Sequence, residues 1–230
     1  TYWQRYYGNK TPDPLHIDKS LPMVIGANGF PVRAPASDKK IVGNSMPKWI
    51  GSITNTLSYK EFSLSFMFDV QQGLQKWNQL DNFMAAFGIA KYTENRDQMV
   101  VFPGVLSDGT PNTKSVFMGQ GVGPDGVNYG DGYYRNVYRG VTENFVQDAG
   151  WVRLRTVSFS YSLPHSLLER TFMNNVTLTF TGNNLWLHTK YNGFDPEASD
   201  AITGDITSSS QAGFTYPPLR NFLFSLNVNF

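Results

Sequence analysis

Residues 219–230, LRNFLFSLNVNF, alternate with a period of two up to an aromatic last residue. Phe222, Phe224, Leu226, Val228 and Phe230 fall on one side of an extended chain. Asn221, Ser225, Asn227 and Asn229 fall on the other, with Leu223 the exception. Side chains alternate across a strand, so the pattern specifies a strand with one apolar and one polar face. In a soluble protein such a strand lies over a core. In a transmembrane barrel it is inverted, apolar toward lipid and small polar residues toward a wet interior. Its length suits a tilted spanning strand, which takes about 9–11 residues.

The same arrangement recurs upstream. Residues 49–59 (WIGSITNTLSY) put Trp49, Ile53, Leu57 and Tyr59 on one face, with Asn55 as the exception. Residues 61–70 (EFSLSFMFDV) set Phe62, Leu64, Phe66, Phe68 and Val70 against Ser63, Ser65, Met67 and Asp69. Residues 151–163 oppose Val157, Phe159, Tyr161 and Leu163 to Ser158, Ser160 and Ser162; residues 174–185 oppose Val176, Leu178 and Phe180 to Thr177, Thr179 and Thr181. The predicted class is all-β and antiparallel.

The connections are lopsided. The first pair is joined by a tight turn and the second by residues 164–173, whereas residues 72–149 and 185–218 are long. Alternating up and down puts every short link at one end and every long one at the other, as in outer-membrane barrels with short periplasmic turns and long extracellular loops. On this threading Trp49, Trp151 and Trp186 lie at the long-loop rim, and Tyr59, Tyr161 and Phe230 nearer the short-turn rim. Two aromatic girdles at headgroup level are the expectation. Arg153 and Arg155 extend the apolar face of their strand, where a mid-membrane arginine costs about 2–4 kcal/mol. Two readings stay open: they sit at the outer rim facing lipopolysaccharide phosphates, or a bulge shifts the register and turns them to a loop base.

Composition excludes other classes. Charged residues are 16%, against roughly 25% in soluble domains, and the net charge of +1 offers no case for nucleic acid. Mean hydropathy is −0.33 and no 18-residue apolar run occurs, which excludes a helical membrane protein but not a barrel. There is no cysteine, hence no disulfide framework or thiolate metal site. His16, His165 and His188 are scattered, and no G-x-S-x-G elbow appears. No catalytic residue, metal or cofactor is expected, and the chain is not read as an enzyme. Gly-rich 104–109 and 119–132 lack the context of a phosphate loop or an EF-hand and read as flexible turns. Within 74–90, Leu74, Trp77, Leu80, Phe83, Met84 and Phe87 recur at helical spacing, predicting an amphipathic helix in the first long loop. The loop aromatics Tyr133, Tyr134, Tyr138, Tyr191, Phe194 and Tyr216 are the candidate substrate contacts, since sugar rings stack on flat aromatic faces.

Four segments carry a family resemblance: Asp38-Lys39-Lys40-Ile41-Val42-Gly43-Asn44 with Pro47-Lys48-Trp49, Asn55 and Tyr59-Lys60; Trp151-Val152-Arg153-Leu154-Arg155 through Tyr161-Ser162-Leu163-Pro164; Thr181-Gly182-Asn183-Asn184-Leu185 followed by Lys190-Tyr191-Asn192-Gly193-Phe194-Asp195-Pro196-Glu197; and Tyr216-Pro217-Pro218 through Phe230. In this order they resemble the C-terminal part of the SusC/RagA family of TonB-dependent outer-membrane transporters. The resemblance implies that 1–230 is the last five or so strands of a plugged barrel of roughly 22 strands, in a Gram-negative, Bacteroidetes-like outer membrane. It implies import of oligosaccharides or peptides, a SusD-like surface lipoprotein as lid, and energy from TonB. Partners would then be the remainder of the barrel, the plug and outer-membrane lipid and lipopolysaccharide, with plug and TonB box expected outside this chain. It also makes terminal Phe230 an assembly signal. The rival readings are a soluble β-sandwich carbohydrate-binding module, which would pack its apolar faces on each other, and a passive barrel without energy coupling.

Overall fold

The computed structural model describes residues 1–198 and 211–230; part of the predicted 185–218 loop therefore lies outside the described residues. In chain order the elements are β1 (Trp49–Tyr59), β2 (Phe62–Gln72), β3 (Gln75–Asn78), α1 (Gln79–Ala86), β4 (Met99–Val101), β5 (Ser115–Phe117) and α2 (Gly132–Asn136). There follow β6 (Val146–Asp148), β7 (Trp151–Ser162), α3 (His165–Leu168), β8 (Asn175–Thr189), β9 (Gln211–Ala212) and β10 (Asn221–Asn229). They form two compact units. One consists of Met46–Leu74, Asp148–Ala198 and Thr215–Phe230; the other of Thr1–Ser45, Gln75–Gln147 and the described part of Ser199–Phe214.

The first unit is the predicted meander, a five-stranded antiparallel sheet in the order β1-β2-β7-β8-β10. All five predicted strands are present, with β2 and β8 running on to Gln72 and Thr189. Lys60 turns the first hairpin at φ +53°. The register puts the starts of β1, β7 and β10 and the ends of β2 and β8 at one end, so every long connection leaves from there. The opposite end carries residues 60–61, residues 163–174 and Phe230. The eleven residues of β1 or β2, at about 3.3 Å each and tilted some 40°, cross roughly 25 Å, the height of a barrel's apolar band.

The two faces are chemically distinct. Ile53, Leu57, Phe159, Phe180, Phe222, Phe224 and Leu226 are all exposed, and rings on this face stack across strands, as in Phe62–Tyr161 at 4.7 Å and Phe180–Phe222 at 5.9 Å. The other face is a ladder of hydroxyls. Ser158 bonds Thr181 at 2.7 Å, Ser160 bonds Thr179 at 2.9 Å, and Thr56 donates to Ser65 at 3.2 Å. Such directly opposed pairs each add roughly 0.2–1 kcal/mol to pairing and hold the register. Gly182 keeps the apolar face thin, since a Cβ there would lie 2.9 Å from the Leu185 side chain.

A bulge interrupts β7. Met67 pairs with Thr156 but Phe68 with Leu154, leaving Arg155 as an extra residue; on the other side, Thr156 faces Asn183 and Leu154 faces Trp186. One extra residue exchanges the faces of everything beyond it. Arg153 therefore lies opposite Asp69 on the polar side, while Leu154 and Val152 continue the apolar face. The bulge reading of the two arginines holds, and the lipopolysaccharide-facing one is corrected. Trp151 is corrected with them: it turns to the polar side and is buried, whereas Trp49 and Trp186 stay exposed on the apolar face.

The second unit is built without long strands. Its core is Trp3, Ile25, Phe102, Val116, Met118, Tyr133 and Val141. The helix predicted over 74–90 is confined to α1. Residues 75–78 pair as a strand with β6 and β9, and the helix starts where Asn78 Oδ1 accepts from the Asp81 N–H at 3.0 Å. It stops before Gly88, at φ +68°. Only two turns long, it buries Asp81, Asn82, Ala85 and Ala86 and leaves Phe87 exposed. Hydrogen bonds make that possible: Asp81 accepts from Tyr92 Oη at 2.9 Å, and Asn82 Nδ2 donates to the Arg139 carbonyl at 2.7 Å.

Three hairpin tips of this unit repeat one backbone pattern. The N–H of Gly26, Leu106 and Gly123 donates to the carbonyl four residues on, at 2.8–2.9 Å, and that of Gly29, Gly109 and Gly126 donates back to the first residue's carbonyl. Each such glycine has φ between +79° and +87°. The residue before it, Asn28, Asp108 or Asp125, accepts from the N–H two residues on. These are three-residue hairpin loops with glycine in the left-handed position. The glycine-rich stretches 104–109 and 119–132, read as flexible turns, hold two of them.

Candidate functional site

On the polar face of the sheet, two of the quoted segments meet. Arg153 Nη2 donates to both carboxylate oxygens of Asp195, at 2.6 and 2.8 Å, and each side chain is 3% exposed. Arg155 makes a paired contact with Glu197, at 2.8 and 3.0 Å, and its Nε donates to Asp69 at 2.7 Å. Glu197 also lies 3.2 Å from Arg153 Nε. The Trp151 ring lies against both guanidinium groups, 5.5 and 5.6 Å from its centroid, while its own Nε1 donates to Gln71. Two cations meet three carboxylates in planar, forked geometry, which arginine suits and lysine does not. The cluster pins residues 190–198 to the sheet wall.

The same arrangement explains Asp195-Pro196-Glu197. The Glu197 N–H donates to Asp195 Oδ1 at 2.9 Å, which closes the turn, and Pro196 is fully buried within it. Tyr191 is buried as well, its ring packed over Gly193, where a Cβ would fall 2.3 Å away. Phe194 and Tyr216 point outward, 61% and 83% exposed.

Tyr133, Tyr134 and Tyr138 belong to the other unit and are brought together there, with ring centroids 5.2–5.7 Å apart. Tyr133 is buried between Phe30 and Phe102. Tyr134 Oη donates to the Tyr92 carbonyl at 2.7 Å, and Tyr138 packs edge-on against Phe145. Burial pushes the Tyr138 phenol up to about 12 and raises Tyr133 further, so both stay neutral over the physiological range. The six aromatics are thus divided: four are packed into their units, and Phe194 and Tyr216 present free surface.

Two features escaped the sequence. The carboxylate partners of Arg153 and Arg155 lie about forty positions downstream, at Asp195 and Glu197, and far upstream, at Asp69, and the Arg-x-Arg pattern alone does not name them. The hairpin tips leave a trace, a recurring Asn-Gly or Asp-Gly at 28–29, 108–109 and 125–126. Among the described residues no group of three or more ligating side chains could hold a metal, and no helix is long and apolar enough to cross a membrane, which says nothing of strands.

No family profile matches the chain. It is similar to three proteins of Formosa agariphila. TonB-dependent receptor P3 is 28% identical over 197 residues, 84% of this chain and 17% of that protein. TonB-dependent receptor P26 is 28% identical over 84% of this chain and 18% of the relative, and TonB-dependent receptor P39 is 25% identical over 85% and 17%. The chain thus spans under a fifth of the length of these relatives. Its fold matches part of the RagAB peptide importer in the open-open state, with TM-score 0.56 and 19% identity over 90% of this chain and 20% of that one. For the closed-closed state the values are 0.55, 20%, 93% and 22%.

Proposed function

We propose that this chain, a relative of TonB-dependent receptors of the SusC/RagA kind over most of its length, forms part of the wall and outer loops of an outer-membrane importer. The observation that carries the reading is the two-faced meander: an exposed Phe/Leu/Ile face, a hydroxyl ladder opposite, and all long connections at one end. Lipid takes the first face and a wet lumen the second. A soluble sandwich would cover Phe159 and Phe180, which are 45% and 50% exposed.

The edges β1 and β10 carry unpaired backbone groups that lipid does not tolerate, so further strands of a plugged barrel of roughly 22 flank them. A SusD-like lipoprotein closes over the long connections, TonB supplies energy, and the cargo is an oligosaccharide or a peptide. Of the six loop aromatics, Phe194 and Tyr216 touch cargo in this reading, supported by their exposure, and Tyr133, Tyr134, Tyr138 and Tyr191 shape the surfaces around it. Phe230, stacked on Phe172 at 5.5 Å at the short-turn end, serves assembly, and Phe230→Ala lowers the folded, membrane-inserted fraction of the receptor.

Topology tests the reading. The chain has no cysteine, so single cysteines at Val127 and Glu169 report directly in cells producing an otherwise cysteine-free receptor. Val127 is chosen over Gly126, whose φ of +79° strains any side chain. In cells lacking the lid, Val127→Cys reacts with a membrane-impermeant maleimide and Glu169→Cys reacts only after permeabilisation. The reverse pattern refutes the proposal.

A further inference from the structure

Between the first and third hairpin tips lies a cavity of about 400 Å³, within the range of small-molecule sites. Among the described residues its lining is amide-rich and aromatic: Asn28, Asn128 and Asn136 with Phe30 and Tyr129, and a single carboxylate, Asp125. The tips hold these groups in place. Asn28 Oδ1 accepts from the Phe30 N–H at 3.2 Å, and Asn128 Oδ1 accepts from the Gly130 N–H at 2.9 Å. These two amides are therefore fixed by their oxygens. Among the described residues nothing partners the side-chain nitrogens of Asn28, Asn128 or Asn136.

Asp125 is fixed as an acceptor. Tyr129 Oη donates to its Oδ2 at 2.6 Å and the Val127 N–H to its Oδ1 at 3.1 Å; the Tyr129 bond foremost holds the carboxyl below its ordinary range. Among the described residues the one cation at the cavity, Lys114, donates to the Ala27 carbonyl at 2.7 Å. Phe30 and Tyr129 meet edge to face, with centroids 6.0 Å apart. Fixed amide donors, a fixed carboxylate acceptor and partly exposed rings match a ligand that donates and accepts through every hydroxyl and has apolar C–H faces. From this geometry we infer that the cavity binds a neutral saccharide ring. The inference deepens the import reading, on which it rests for the cargo, and assigns the cargo as carbohydrate at this site.

The test uses the whole receptor purified in detergent, with maltohexaose, cellohexaose, xylohexaose and mannohexaose as probes and hexa-alanine as the contrasting peptide, followed by calorimetry. At least one saccharide binds. Asn136→Ala, at an exposed position with no bond to lose, weakens it about tenfold, the scale of one lost hydrogen bond with its neighbours. Val127→Trp, which fills the cavity without removing any tip contact, abolishes binding, and both variants keep wild-type heat-modifiable migration. Undiminished saccharide binding by both variants overturns the site while leaving import intact. Binding of hexa-alanine with no saccharide overturns the carbohydrate assignment, as does failure of every saccharide to bind at millimolar concentration. The import reading fails separately, through the labelling pattern.

Discussion

Removing the Asp195 carboxylate leaves the Arg153 guanidinium buried beside the sheet with its two shortest bonds gone. Both side chains are 3% exposed, so water does not replace the lost partner, and breaking a buried pair costs about 3–5 kcal/mol. Glu197 remains 3.2 Å from Arg153 Nε and is 34% exposed, which places Asp195→Ala near the lower figure, about 3 kcal/mol. Glu197→Gln breaks a pair whose members are 26% and 34% exposed, where solvent screening reduces the value to about 1 kcal/mol. The double change Arg153→Met with Asp195→Leu removes both charges together, itself close to neutral, and leaves only the loss of the turn-closing bond from the Glu197 N–H to Asp195, about 1 kcal/mol.

The readout is hydrogen exchange of the Tyr191 amide, which donates to Thr189 Oγ1 at 3.1 Å and reports whether residues 190–198 stay on the wall. A loss of about 3 kcal/mol raises its exchange roughly a hundredfold, against about fivefold for Glu197→Gln. If Asp195→Ala changes exchange no more than Glu197→Gln does, or the double variant opens as far as the single one, the buried pair is not what holds the segment.

The faces of the sheet predict opposite tolerance: Val157→Arg, on the apolar side, costs about 2–4 kcal/mol and depletes the inserted, heat-modifiable form, whereas Ser158→Arg on the hydroxyl side leaves insertion near wild type. The hairpin tips predict a graded response to alanine. Gly126→Ala meets open space and costs about 1–2 kcal/mol from its left-handed backbone alone, while Gly109→Ala adds a Cβ 2.5 Å from Tyr6 Oη and costs more; limited proteolysis at each tip ranks the two. Asp81 predicts a pH dependence of α1. Burial, outweighing the Tyr92 hydrogen bond, raises its pKa, so the folded state holds that proton more tightly than the unfolded chain. Its stabilising contribution is complete below the ordinary carboxylate value of about 3.9 and is lost as pH rises through the raised one. Rate-corrected protection of residues 79–86 therefore falls on going from acid toward neutral pH, and Asp81→Asn flattens the profile.

The five long strands, their antiparallel order and the end from which the long connections leave were legible in the sequence. Each rests on a period-two pattern repeated over ten or so residues, and a signal of that length survives local exceptions such as Asn55. The bulge at Arg155 was legible only as one of two readings, because one extra residue leaves the composition of the strand unchanged and its position is set by the registers of β2 and β8. With it went the direction of Arg153 and Trp151, which follow parity and nothing else. The roles of the loop aromatics also needed tertiary structure. Tyr133 and Tyr216 are alike in sequence, both in aromatic-rich loop segments, yet Phe30 and Phe102 cover the first and no described neighbour buries the second. Alternation along a strand is a local property, dictated by backbone geometry residue by residue. Which charge meets which, and which ring is covered, depends on segments forty to a hundred positions apart, whose meeting only the folded chain decides.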